Sequence, residues 1–291
     1  MVKYDYSIAQ TIDDAVQLLN DPEIRSIPLA GGTDIFVAIR VNPLWFDRLV
    51  DIRRIPELTQ IKIDGKQVSV GAAVTFSHAI DDPILKETAP FLVEACKSIG
   101  GPAIRNSGTF GGNVTNAAAC ADSIPSLVCL EATAHLISPN GKREVKVEDL
   151  VIGPHKTQME PGELLTHFTF MAPEENTLTC FIKIGRRKAQ SISRLSIAVM
   201  GKLNSDGTIK YVRLCPGAAV ANPVRFRNVE AALIGKKPDK DLFSQSADKL
   251  VAEMVESTGK RWSTEYKEIT LKAITERSLA KIFLKEETYV N

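Results

Sequence analysis

The sequence predicts an α+β fold, in which a first half of short strands and helices is followed by a C-terminal block of strands and then a block of helices. Residues 11–52 alternate helical and strand patterns, and residues 61–70 have the alternating polar and apolar residues of a hairpin. After residue 180, three strand patterns come first and three helical patterns follow them. In an α+β domain, the strands are expected to be grouped apart from the helices.

The first fifty residues predict a small β-α-β unit. Thr11 can cap a helix, because Asp14 follows three residues later and an apolar stretch comes next. Residues 27–30 are a short apolar run that predicts a buried strand, and residues 48–52 predict the following strand. Between them, residues 35–39 have the apolar spacing of a short helix.

The middle of the chain combines hairpins with helices. Asp64-Gly65-Lys66 and Pro139-Asn140-Gly141 each lie between two strand patterns and predict hairpin turns. The predicted strands are residues 61–63, 68–70, 132–138 and 144–147, and the predicted helices lie near residues 76–80, 91–98 and 124–130.

A polar break at residues 173–176 divides the chain into two predicted domains. Residues 1–172 form the first, with subdomains of about 1–55 and 56–172, and residues 173–291 form the second. Within the second, residues 180–185, 195–203 and 210–215 predict antiparallel strands, and Asn204-Ser205-Asp206-Gly207 predicts a hairpin turn. Helical patterns at residues 228–234, 239–256 and 264–284 complete this domain.

Composition and charge exclude several classes of function. The net charge of the 291 residues is +1, so no overall field attracts nucleic acid or an anionic membrane. No apolar run approaches the ~20 residues of a membrane helix, and the N-terminus lacks the apolar core of a signal peptide, so a cytoplasmic location is expected. The five cysteines form no C-x-x-C pair and do not cluster with the four histidines. Buried, inert thiols are therefore expected, without a disulfide framework or a metal site.

Two glycine-rich segments have the residue types of phosphate-binding loops. They are Ala30-Gly31-Gly32-Thr33-Asp34 and Thr109-Phe110-Gly111-Gly112-Asn113. Glycine permits a positive φ and lets a ligand approach without a Cβ in the way, and successive amides in such turns can bind an anion. Neither segment has the G-x-G-x-x-G or the G-x-x-x-x-G-K-[ST] pattern, so a Rossmann domain and a P-loop nucleotidase are disfavoured. A Gly-Gly pair taken alone is more often a simple turn.

The residues around these glycines resemble the two flavin motifs of the molybdenum hydroxylase flavoproteins. The matching segments are residues 29–34 and 104–113, with about 75 residues between Asp34 and Thr109, and Val50-Asp51-Ile52, Ala121-Asp122-Ser123 and residues 161–165 also match. The family includes the FAD subunits of bacterial xanthine and nicotinate dehydrogenases and the medium subunit of carbon monoxide dehydrogenase. The resemblance implies a para-cresol methylhydroxylase-type FAD-binding domain of two subdomains. A C-terminal α+β domain with a three-stranded antiparallel sheet and helices would follow it.

The same resemblance implies a set of cofactor-binding residues. The FAD pyrophosphate would lie between Ile27, Pro28, Leu29, Ala30, Gly31, Gly32, Thr33 and Asp34 on one side and Thr109, Phe110, Gly111, Gly112 and Asn113 on the other. Ile99 would contact the flavin nucleotide, Asp122 would bind through its carboxylate, Leu165 would pack against the cofactor, and Lys183 would make a polar contact. A core leucine and a solvated strand lysine are the alternatives for the last two. No catalytic residue and no metal ligand is expected.

The implied function is that of the FAD-carrying electron-transfer subunit of a molybdenum-dependent hydroxylase or dehydrogenase complex. Molybdopterin is expected on a large partner subunit and [2Fe-2S] clusters on a small one. Electrons would pass from the [2Fe-2S] clusters through FAD to NAD(P)+ or another acceptor. The complex would act on xanthine, another purine or another N-heterocycle. No nucleic-acid or membrane partner is expected.

Two segments differ from relatives within the family. Arg186-Arg187-Lys188 lies in the loop that borders the isoalloxazine ring in the family and is acidic in some relatives, whereas here it is basic. A solvated charge run is the alternative interpretation. One branch of the family has a cysteine-rich insertion that binds a [4Fe-4S] cluster. The region of Cys120 and Cys129 contains no such insertion, so no such cluster is expected.

Two other functions remain open. A stand-alone flavoenzyme of the same fold would build its own substrate pocket, often with a proton donor or a covalent link from His or Cys to the flavin. No histidine adjoins either glycine segment, which counts against the covalent type. A non-enzymatic assembly module would keep the fold without the cofactor, and the intact glycine segments disfavour it.

Overall fold

The computed structural model describes residues 4–41 and 45–286, in which the strands form one parallel sheet and three antiparallel ones. The parallel sheet contains β1 (Asp5–Ile8), β2 (Ser26–Leu29) and β3 (Arg48–Asp51), in the order β1-β3-β2. Helix α1 (Ile12–Leu19) joins β1 to β2, and helix α2 (Ile35–Val41) follows β2. The predicted β-α-β unit is confirmed.

A local signal explains the start of α1, whereas the surroundings of β2 differ from the prediction. The Thr11 hydroxyl accepts a hydrogen bond from the Asp14 amide (3.1 Å), as a helix cap should. The strand predicted at residues 27–30 is present as β2, but the prediction that it is buried is wrong. Strand β2 pairs only with β3, Leu29 alone among its residues is buried, and Pro28 is exposed. Proline has no N–H to donate to a neighbouring strand, which suits it to the edge of a sheet.

The second sheet is antiparallel, with the strand order β4-β5-β10-β6-β7. Its strands are β4 (Ile61–Asp64), β5 (Gln67–Gly71), β6 (Thr133–Ser138), β7 (Gly141–Lys146) and, after the small separate pair β8 (Val151–Gly153) and β9 (Lys156–Thr157), β10 (Leu164–Met171). Both predicted hairpins, β4-β5 and β6-β7, are confirmed. The central strand β10 was not predicted, because burial of most of its residues on both faces removes the alternation that marks a strand.

Helices fill the segment between β5 and β6 and enclose a large core with the second sheet. They are α3 (Phe76–Asp81), α4 (Pro83–Thr88), α5 (Pro90–Ser98), α6 (Pro102–Ser107), α7 (Phe110–Asn116) and α8 (Ser123–Cys129), and α9 (Val147–Leu150) follows β7. Phe91, Phe110 and Phe168 are fully buried in this core. Helices α4, α6, α7 and α9 were not predicted; they have four to seven residues, and such short segments rarely show a clear helical period.

The C-terminal part consists of a three-stranded antiparallel sheet followed by helices, as predicted. Its elements are β11 (Leu178–Gly185), β12 (Ser193–Leu203), β13 (Ile209–Gly217), α10 (Arg227–Leu233), α11 (Lys240–Thr258) and α12 (Thr264–Phe283). Along β12, Ile197 and Val199 belong to the core formed with α12, whereas Ala198 and Met200 belong to the core of the N-terminal half. The alternation of side chains along the strand thus places α5 and α8 on one face of this sheet and α12 on the other.

In the described part of the chain, no helix combines the length and the apolar character that a membrane crossing requires.

Candidate cofactor site

The first glycine segment lies at the carboxyl end of β2, where the chain turns into α2. Gly32 has a φ of +72°, a conformation that favours glycine. A Cβ on Gly31 would overlap the carbonyl oxygen of Ser107. Because residues 107–108 immediately precede the second glycine segment, the missing side chain of Gly31 lets the two segments approach each other. Around these glycines, Ala30 and Thr33 are half-buried and Asp34 is exposed.

The second glycine segment is held by backbone hydrogen bonds to residues 72–74. The Gly111 amide donates to the carbonyl oxygen of Ala72 (2.7 Å), and the Phe110 amide donates to that of Val74 (3.1 Å). The Thr109 hydroxyl caps α7 by accepting from the Gly112 amide (3.1 Å). A Cβ on Gly111 would lie 2.7 Å from Ala72, so this glycine is needed for packing within the protein.

Among the four glycines of the two segments, Gly112 is the one with open space beside it. Its φ is not positive, and a Cβ would meet only the Thr109 hydroxyl, at 3.0 Å. The neighbouring Asn113 is half-buried, and its amide nitrogen has no partner among the described residues. An unfilled space beside a free hydrogen-bond donor is what a diphosphate group needs, so the residues present fit a dinucleotide cofactor.

Several residues of the predicted set lie in the protein interior. The side chains of Leu29, Phe110 and Leu165 are at most 5% exposed and belong to hydrophobic cores. Ile27 packs against the same small core as Leu29. The structure thus shows Leu165 as a core leucine, and its contact with a cofactor stays a prediction.

A buried ion pair joins β11 to the N-terminal half at this site. Lys183 Nζ donates to Asp122 Oδ2 (2.6 Å) and to the carbonyl oxygen of Ser98 (2.9 Å). The Lys183 and Asp122 side chains are only 11% and 5% exposed, so Lys183 is not a solvated strand lysine. The other carboxylate oxygen, Asp122 Oδ1, is buried and has no hydrogen-bond partner among the described residues. Buried polar atoms in proteins are normally paired. The Ser193 hydroxyl is also buried without a partner and acts on the same carboxylate, so a small movement of Ser193, a water or a ligand would each satisfy this oxygen.

The electrostatic surroundings connect this ion pair with the first glycine segment. Burial raises the pKa of Asp122, and the Lys183 ammonium and, to a smaller extent, the Ser193 and Ser196 hydroxyls act in the opposite direction. Cys120 is half-buried, and the pKa of its thiol is raised by burial, by the Asp122 carboxylate and, to a smaller extent, by Asp34. Asp34 is therefore close enough to Cys120 to act on it.

Ile99 lies at the bend between α5 and α6, next to the carbonyl group that Lys183 contacts. Arg105 Nη1 donates to the carbonyl oxygen of Ile99 (3.1 Å) and stabilises the bend. A Cβ on Gly101 would lie 3.2 Å from the side-chain amide of Gln190. The loop that carries the basic residues 186–188 thus reaches this bend, and those three residues are exposed.

Three polar residues near the site were not predicted. The Ser123 hydroxyl donates to Asn113 Oδ1 (2.7 Å), and Ser193 and Ser196 on β12 face Asp122. The motif Ala121-Asp122-Ser123 contained a signal for Ser123, but not its contact with Asn113. For Ser193 and Ser196 no signal exists, since they reach Asp122 only because β12 pairs with β11.

Sequence comparisons with known proteins identify the family. Residues 2–170 match the FAD binding domain in molybdopterin dehydrogenase, and residues 181–282 match the CO dehydrogenase flavoprotein C-terminal domain. The xanthine dehydrogenase FAD-binding subunit of Escherichia coli is 30% identical over 278 residues, which cover 94% of each chain. The glyceraldehyde dehydrogenase medium chain of Sulfolobus acidocaldarius is 30% identical over 280 residues, which cover 96% of this chain and 98% of that protein.

Solved structures give the same result. A chain of carbon monoxide dehydrogenase from Hydrogenophaga pseudoflava matches with a TM-score of 0.90 and 26% identity, covering 98% of this chain and 99% of that chain. Quinoline 2-oxidoreductase from Pseudomonas putida matches with a TM-score of 0.88 and 25% identity, covering 97% and 98% of the two chains. The chain therefore belongs to the family of FAD-binding subunits of the molybdopterin dehydrogenases, the oxidoreductases also called molybdenum hydroxylases.

Proposed function

We propose that this chain binds FAD between its two glycine segments and relays electrons within a molybdenum hydroxylase complex. The observation that carries the proposal is the open space beside Gly112, next to the unengaged amide nitrogen of Asn113, in a chain of an FAD-binding family. Bound FAD would supply reversible electron transfer, which no side chain of the protein provides.

The residues of the chain would bind and orient this cofactor. Residues 27–34 would hold the diphosphate chiefly through backbone amides. Residues 109–113 would hold it through short polar side chains and the space beside Gly112, because the amides of residues 110–113 donate within the protein. No cationic side chain is needed. The pair of Asp122 and Lys183 would meet a polar part of the cofactor, because Asp122 Oδ1 has no hydrogen-bond partner among the described residues. Ile99 and Leu165 would contribute apolar contact. No side chain is assigned the role of nucleophile or general base.

The names of the relatives support a role within a complex, since they are described as an FAD-binding subunit and a medium chain. We infer a large partner subunit with molybdopterin and a small partner subunit with [2Fe-2S] clusters that delivers electrons to FAD. NAD(P)+ or another acceptor would receive them, and xanthine, another purine or another N-heterocycle would be the substrate of the complex. The five free thiols suit the reducing conditions of the cytoplasm. We also propose the division into domains at residues 1–172 and 173–291.

Titration of the flavin-free chain with FAD, followed by fluorescence, tests the cofactor. One FAD per chain is expected, and a folded chain that takes up no FAD would favour the cofactor-free module instead. The isolated chain, once loaded with FAD, is expected to be inactive toward N-heterocycles, because the molybdenum site belongs to another subunit. Full hydroxylase turnover by the isolated chain would contradict the electron-relay function and favour a stand-alone flavoenzyme.

A further inference from the structure

Ser123 contacts the second glycine segment from the first turn of α8. Its side chain is fully buried, and its hydroxyl donates to Asn113 Oδ1 at 2.7 Å. Asn113 lies in α7 and is half-buried, and no other hydrogen bond of its side chain is found among the described residues. The two residues are ten positions apart and belong to different helices, so their contact depends on the packing of α7 against α8.

The hydrogen bond fixes which end of the Asn113 amide is free. A carboxamide has an oxygen that only accepts hydrogen bonds and a nitrogen that only donates them, and the two ends have nearly the same shape. The Ser123 hydroxyl could also accept from the amide nitrogen, but its own buried O–H would then have no acceptor among the hydrogen bonds of the described residues. Donation to the Asn113 oxygen is therefore favoured, and the nitrogen remains for a ligand. A phosphate group accepts hydrogen bonds and repels oxygen atoms, so the amide can bind it in only one of its two orientations.

We propose that Ser123 is a positioning residue for the cofactor, which holds the Asn113 amide with its nitrogen toward the FAD diphosphate. The inference rests on the proposed function, because the diphosphate is the group that the free nitrogen would meet. Ser123 itself does not touch the cofactor. Its effect on binding therefore passes entirely through Asn113.

A double-mutant cycle on FAD binding tests this coupling. Asn113→Ala is expected to weaken the binding of FAD about tenfold to a hundredfold, since a hydrogen bond to a charged group is lost. Ser123→Ala should weaken it about threefold to tenfold, because the amide can then turn its oxygen toward the phosphate. In the Asn113→Ala background, Ser123→Ala should have no further effect. ADP, which carries the same diphosphate, should show the same pattern.

Ser126→Ala is the matched control, because Ser126 is a buried serine of the same helix whose hydroxyl has no partner among the described residues. It should leave the Kd for FAD unchanged. Asn113→Asp should bind FAD more weakly than Asn113→Ala, since Ser123 still engages one carboxylate oxygen and the other then faces the phosphate. Circular dichroism checks that each variant is folded.

The possible results separate this proposal from the proposed function. Equal losses from Ser123→Ala in the two backgrounds, an equal loss from Ser126→Ala, or wild-type affinity in Ser123→Ala would each overturn the positioning role. Failure of the wild-type chain to bind FAD would overturn the proposed function itself.

Discussion

Replacing Gly112 with alanine should separate cofactor binding from folding. The new Cβ would meet one protein atom, the Thr109 hydroxyl at 3.0 Å, and would otherwise stand in open space. Gly112 lies within α7, where glycine is about 1 kcal/mol less favourable than alanine. The tight contact with Thr109 offsets part of this gain. The free energy of unfolding is therefore expected to stay within about 1 kcal/mol of the wild-type value.

The affinity for FAD should fall much further than the stability changes. A methyl group on Gly112 would occupy the space beside the Asn113 side-chain amide and keep the diphosphate away from that donor. Loss of even one or two hydrogen bonds to a charged group costs about 3 kcal/mol, or a factor of about 100 in Kd. Urea unfolding and titration of the flavin-free chain with FAD measure the two quantities on the same protein.

Gly153→Ala is the matched control for this experiment. A Cβ on Gly153 has no atom of the described residues closer than 3.9 Å apart from its chain neighbours, its φ is not positive, and it lies in β8, outside both glycine segments. No atom of either glycine segment lies within 4 Å of that Cβ, so the variant should bind FAD like the wild type. By contrast, alanine at Gly31 would overlap Ser107 and disturb the fold, so it cannot serve this purpose. A folded Gly112→Ala chain with a Kd within threefold of the wild type would refute the placement of the diphosphate.

Three further predictions concern the ion pair, a pair of histidines and one thiol. Lys183→Met should lower the free energy of unfolding by about 3 kcal/mol or more, because it leaves the Asp122 carboxylate buried without a partner charge. Adding Asp122→Asn should restore part of this loss. A change below about 1 kcal/mol in urea unfolding of Lys183→Met would contradict the prediction. Burial and the stacked His135 lower the pKa of His167 from 6.5 to about 4. Between these pH values the unfolded chain binds a proton that the folded chain does not, so the free energy of unfolding should fall by about 1 to 2 kcal/mol as the pH is lowered through this range, after allowance for partial exposure. An equal pH dependence of stability in His167→Gln would contradict this. Cys120 is the one thiol that is not fully buried, and it lies two residues before Asp122, which is proposed to meet the cofactor. Bound FAD should therefore slow the alkylation of Cys120 severalfold, as measured by mass spectrometry. An unchanged rate would contradict its closeness to the cofactor.

Short-range features of the fold could be predicted from the sequence because their causes are local. The Thr11 cap, the hairpin turns and the C-terminal order of strands before helices each depend on residues within a few positions of one another. The central strand β10 escaped prediction, since its neighbours β5 and β6 come from distant parts of the chain and bury it on both faces. The edge position of β2 depends likewise on the order in which the parallel strands assemble.

For the candidate site, the sequence alone determined which segments belong to it and which family they resemble, because the glycine motifs and their order are written in consecutive residues. Only the tertiary structure decided what each glycine does. Gly31 and Gly111 make room for other parts of the protein, whereas Gly112 borders open space, where we propose that the cofactor binds. It also decided that Lys183 pairs with Asp122 and that Ser123 engages Asn113. Such contacts join residues far apart in the chain or on different helices, so their geometry follows from packing and cannot be inferred from local residue patterns.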